Sequence, residues 1–139
     1  MKEHWEHFEH DADIGVRGFG ASKAGAFEQA ALALMAVITE PGRVAASETV
    51  MIDCEAANDE LLLVGWLNAL IYEMAVRHML FARFDVVIDG AHLQATAVGE
   101  PLSVPRHQPA VEVKGATFTT LRVVQLDNGL WMAQTVVDV

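Results

Sequence analysis

The sequence predicts an α+β fold, two helices packed on a mostly antiparallel β-sheet, in a single unit spanning residues 1–139. Three observations predict it. Two segments carry apolar residues at helical spacing behind Ser or Asn caps. The later part of the chain alternates apolar and polar residues between turns rich in Gly, Asn, Asp and Pro. Two helices among mostly hairpin-linked strands make helices packed on an antiparallel sheet the natural architecture.

Each element has its own signal. Glu-His recurs at 3–4, 6–7 and 9–10, and Trp5 and Phe8 have no partners at helical spacing, so the start reads as a short strand or irregular arm. Ile14 and Val16 alternate with Gly15 and Arg17, a strand end before the turn Gly18-Phe19-Gly20. Ser22 is an N-cap for a helix buried along Phe27, Ala31, Leu34 and Ile38, which Pro41-Gly42 ends. Residues 49–55 alternate, with Val50, Ile52 and Cys54 on the buried side. Asn58, Asp59 and Glu60 open a longer helix with a stripe of Leu63, Trp66, Leu67, Leu70, Ile71 and Met74. Its end carries Arg77 and His78.

Everything after residue 83 is predicted to be β. Residues 85–88 enter a hairpin turn at Asp89-Gly90, and 93–98 return. Pro101, Pro105 and Pro109 hold a polar loop open. Strands follow at 111–118 and 121–126, then the turn Asp127-Asn128-Gly129 and a last strand from Trp131 to Asp138.

Composition narrows the function. The chain has 139 residues, 53% of them hydrophobic, enough for a real core. No apolar run reaches the roughly 18 residues of a membrane span, and Met1-Lys2-Glu3-His4 opens in charge, unlike a signal peptide. The lone Cys54 has no internal disulfide partner, so a reducing cytoplasmic location is expected. Net charge is −10, and the nine Lys and Arg are scattered with no two adjacent. Direct nucleic-acid binding through a basic face is therefore not expected. Acidity suits metal binding, a basic protein partner, or solubility alone.

Few residues carry legible chemistry. His10-Asp11-Ala12-Asp13 is the densest set of metal-ligand types; its carboxylates suit hard cations such as Mg²⁺, Ca²⁺ or Mn²⁺, while its imidazole favours Zn²⁺ or a softer metal. A solvated acidic loop explains it as well. Asp138 closes an apolar strand, with Val139 supplying a free carboxylate; charge is also ordinary at a fraying end. Glu100 is either a cation ligand or a turn residue. Lys114 is either an anion or carboxylate binder or an edge-strand guard against aggregation. Glu100, Arg106 and His107 could form an acid–base group, but no nucleophile accompanies them. Motifs for phosphate loops, dinucleotide binding, metalloprotease zinc and serine hydrolases are absent.

Five motifs in order give a stronger reading. His10-Asp11-Ala12-Asp13-Ile14-Gly15 resembles the H-T-A-D-[VI]-G opening of the archease family. The stretch 60–72 is similar to its E-x-L-L-x-x-W-L-N-x-L-[IL]-Y helix. Gly99-Glu100 with Arg106-His107 resembles its G-E…H loop, and Glu112-Val113-Lys114-Gly115-Ala116-Thr117-Phe118 its E-[IV]-K-x-x-T-[YF] strand. Val136-Val137-Asp138-Val139 resembles its V-x-D-[IV] ending. Three positions depart from the pattern: Asp11 for Thr, Gly65 for Asp and Thr120 for a frequent His.

The resemblance implies a protein cofactor, not itself an enzyme, of the GTP- and Mn²⁺-dependent RNA ligase of the RtcB type. Such a protein promotes guanylation and repeated turnover of the ligase in tRNA splicing or RNA repair. The implied metal site is Asp13, Asp138 and Val139, holding a divalent cation (Ca²⁺, Mg²⁺ or Mn²⁺), with Lys114 serving the ligase. Glu100, His10 and His107 are expected to support that site or the partner contact. Two alternatives stand beside this reading. One is a metal-dependent phosphohydrolase using Asp13, His107 and Glu100, and the other a chaperone-like adaptor for an RNA-processing enzyme.

Overall fold

The computed structural model describes residues 2–139. Among these residues eight strands form two antiparallel sheets, accompanied by three helices. Strands β1 (His4–His10) and β2 (Asp13–Gly20) make a hairpin, so of the two readings of the start, short strand or irregular arm, the strand is the one present. Asp11 sits at its turn with φ 53°, a left-handed conformation that Asp tolerates better than most residues. Strand β8 (Trp131–Asp138) pairs with β2 along one edge. Its other edge is shared end to end by β6 (Gly115–Ala116) and β7 (Arg122–Gln125). The second sheet has the order β3-β5-β4, from β3 (Glu48–Glu55), β4 (Met79–Asp89) and β5 (His92–Pro101).

Both predicted helices are present. In α1 (Lys23–Ile38), the Ser22 hydroxyl accepts the amide of Gly25 at 3.0 Å. A 3-10 turn at Pro41–Arg43 follows it. In α2 (Asp59–Arg77), Asn58 accepts the amide of Leu61 at 2.9 Å, and His78 closes the helix in the left-handed conformation. The helices lock through the fully buried Trp66, whose indole N–H donates to the carbonyl of Phe27 at 3.1 Å. Gly18 lets α1 lie directly on β2: a Cβ there would stand 2.3 Å from the Ala26 carbonyl oxygen and the Ala30 amide nitrogen.

Several elements differ from expectation. The hairpin β4–β5 turns at Gly90-Ala91, one residue later than predicted, because Asp89 still pairs with His92 and Gly90 takes the positive φ of 61°. The loop around the prolines contains one helical turn, α3 (Val104–His107), with Ser103 as its cap. The predicted strand 111–118 shrinks to two residues, since β8 ends opposite Gly115 and leaves residues 111–113 nothing to pair with.

Candidate functional site

The register of the first sheet brings the two ends of the chain together. Ile14 lies opposite Val137, so the next step sets Asp13 beside Asp138. His10 is paired with Asp13 in the β1–β2 hairpin, and Asp138 with Gly115 on the far side. Cross-strand partners project to the same face. His10, Asp13 and Asp138 therefore form one row along the rim of the sheet, with glycine at its end. Val139 adjoins the row, and Lys114 is tied to it by its amide, which donates to the Asp138 carbonyl at 2.8 Å.

The row is open and electrostatically unsettled. Asp13 and His10 are half-buried, while Asp138 and Lys114 are exposed. Among the described residues no hydrogen bond or ion pair engages either aspartate side chain, and His10 approaches only Asp11, at 3.9 Å. Like charges directly opposed across two strands destabilise the pair. A hard cation would reverse that sign, and the all-oxygen donors suit one. No cluster of three or more metal-ligating side chains is assembled among the described residues. The rim thus offers a carboxylate pair rather than a closed cage.

Glu100 and His107 lie elsewhere, in a buried clasp. Glu100 is 6% exposed and His107 is fully buried. The Glu100 carboxylate accepts the Ala45 amide at 2.8 Å, His107 Nε2–H at 2.9 Å and the guanidinium of Arg106. His107 Nδ1 accepts the Ser103 amide at 2.9 Å, which assigns the ring proton to Nε2. The Ala45 amide foremost, then His107 and Arg106, hold the Glu100 carboxyl at about 2, well below the usual range. Every polar atom of this trio's buried part has a partner. The trio fastens the segment 101–108 onto β5, and Thr39 adds a bond to the His107 carbonyl at 2.5 Å.

Sequence reasoning missed Asn68. Its Oδ1 accepts the Ala116 amide at 2.9 Å and so fixes β6, and with it Lys114, against α2. An exposed Asn inside a helix, where it lowers helix propensity, was the available signal. The sequence assigns Phe8 no role beyond its place in the opening strand or arm. Its ring lies over Gly15, where a Cβ would stand 2.3 Å from it, and under the Arg17 guanidinium at 4.5 Å.

Fold and rim together define a class: small α+β proteins of two antiparallel sheets, here with the second strand, β2, beside the last, β8, and one aspartate from each at the same rim. The chain belongs to the archease protein family, whose model matches residues 5–139. Protein archease of Pyrococcus abyssi is 39% identical over 97% of this chain and 98% of its own. That of Methanosarcina acetivorans is 36% identical over 97% and 95%. The solution structure of Methanobacterium thermoautotrophicum protein 1598 superposes with a TM-score of 0.85 at 32% identity, covering 97% of this chain and 98% of that one. An archease of Thermotoga maritima, described as a possible chaperone, shares the fold at a TM-score of 0.57 and 19% identity over 95% and 94%. Among the described residues no helix is long and apolar enough to cross a membrane.

Proposed function

We propose that this archease activates an RNA ligase of the RtcB type, and that its working surface is the rim bearing Asp13, Asp138 and Lys114. One observation carries the reading. The strand register places two unengaged carboxylates from opposite ends of the chain on one face, beside a lysine with no counter-ion among the described residues. A divalent cation held there by Asp13 and Asp138, with main-chain oxygen from Val139 and support from His10, would keep open coordination positions. Mg²⁺ and Mn²⁺ sites that share a cation with phosphate groups have this composition. When bound, the cation would offset charge on a polyphosphate during nucleotidyl transfer.

The chain's own groups do the rest. The aspartates orient the cation, and Lys114 sits close enough in the chain to meet an anionic oxygen or a partner carboxylate. An acidic protein of net charge −10 is complementary to an enzyme mouth that must be basic to hold GTP and RNA. Glu100 and His107 act at a distance, by holding the segment that leads to Lys114. Their mutual bonding and burial leave no open acid–base pair for the phosphohydrolase reading.

The test is multiple-turnover ligation by the ligase encoded in the same genome. Wild-type protein is expected to raise the number of turnovers per ligase. Asp138→Ala is expected to lose at least 90% of that stimulation, on the order of the loss seen when charge stabilisation is removed from a transfer step. Equal stimulation by both would refute the reading.

A further inference from the structure

Beside the rim, a groove of about 750 Å³ runs between the C-terminal half of α2 and the segment that leads to β6. Ile71, Met74, Met79, Leu80 and Leu102 make its apolar wall, and residues 109–114 form its outer edge. That edge is extended: Val113 is buried, whereas Glu112 and Lys114 on either side of it are exposed. It is pinned at two points, where the Ala110 amide donates to the Ile38 carbonyl at 2.8 Å and the Lys114 amide to Asp138. Between those points the amides of Val111, Glu112 and Val113 have no hydrogen-bond partner among the described residues, and neither do their carbonyls. The cause is the register. Because Gly115 pairs with Asp138, residues before 114 overhang the end of β8.

An extended edge with unpaired backbone beside an apolar groove is the arrangement that binds peptides by strand addition. Main-chain bonds supply affinity, and the groove takes alternate side chains. The charges on the edge narrow the occupant further. Neither Glu112 nor Lys114 has an ion-pair partner among the described residues. An added strand would be favoured by a basic residue opposite Glu112 and an acidic one opposite Lys114. A second copy of this chain fits poorly, since each carries a net charge of −10.

We infer that residues 111–113 and the groove behind them bind an extended segment of the partner ligase as an added strand. That segment alternates small apolar residues with a basic and an acidic one. The inference rests on the reading of this protein as a ligase activator, but not on the cation. Since Lys114 joins groove and rim, the docked strand would run up to the carboxylates and fix the rim against the partner.

Amide hydrogen exchange of the full-length protein, alone and with the purified ligase, tests this. Val111, Glu112 and Val113 are expected to exchange fast alone and at least ten-fold slower in the complex. Asp138→Ala should keep that protection. Glu112→Pro, which deletes one amide at an exposed position, should weaken ligase binding roughly ten-fold, and Glu112→Ala should weaken it less. A complex that stimulates ligation while 111–113 exchange as in the free protein would overturn the groove alone. Equal binding by Glu112→Pro and wild type would do the same. No complex and no stimulation would remove both the groove and the ligase reading.

Discussion

Glu100 shows how one residue joins sequence, packing and pH response. A carboxylate that is 6% exposed would be costly if left unpaired. Here the Ala45 amide, His107 and Arg106 surround it and hold its carboxyl at about 2 rather than the ordinary 4.5. A depressed folded-state value contributes stability above the unfolded value and loses it as pH falls towards the folded one. Glu100→Gln is therefore expected to be less stable than wild type at neutral pH, with the gap closing as pH drops below 4.5 towards 2. Urea denaturation across that range measures it. A gap that widens on acidification would contradict the assignment. His107→Ala removes a fully buried ring and two of the clasp's bonds. It is expected to lower the melting temperature by roughly 5–15 °C. Scanning calorimetry reads this directly, and ligase stimulation should fall with it, because the segment before Lys114 loses its anchor.

At the scale of elements, glycines separate tolerated change from forbidden change. Gly65 lies exposed in α2 with nothing within 4 Å of a Cβ built on it. Gly65→Ala should stabilise the protein by roughly 0.5–1 kcal/mol through helix propensity. Gly18→Ala should destabilise it by about 1–3 kcal/mol or more, because α1 would have to lift off β2. Chemical denaturation of the pair tests both signs at once. Gly65 and Gly18 look alike in the sequence, and only packing tells them apart. Caps and stripes were legible because their signals are local: Ser22, Asn58 and the Leu63–Trp66–Leu70 face each act within one helix. Strand length was less legible. The alternation at 111–118 is real, yet pairing depends on where β8 stops, and no local pattern carries that information. The same holds for the division into two sheets, which depends on β2 pairing with β8 across the whole chain.

At the scale of the molecule, β2 and β8 come from near opposite ends of the chain and lie side by side in the larger sheet, and the rim is a product of that topology. Asp13 and Asp138 are each unremarkable in sequence; motif order joined them, and the register gives the joining a physical form. Glu100 and His107 were grouped with them by the same motifs, but the fold buries the two in a clasp of their own. Sequence spacing could not separate a rim carboxylate from a buried one, because burial here is decided by Ala45, Arg106 and Ser103 closing over residue 100. The central claim is that both ends of the chain grip one cation. Titration calorimetry with Mn²⁺ and Ca²⁺ on wild type, Asp13→Asn and Asp138→Asn tests it most directly. One cation per chain is expected in wild type, with binding weakened at least ten-fold by either substitution alone. Binding left intact by both would contradict the account.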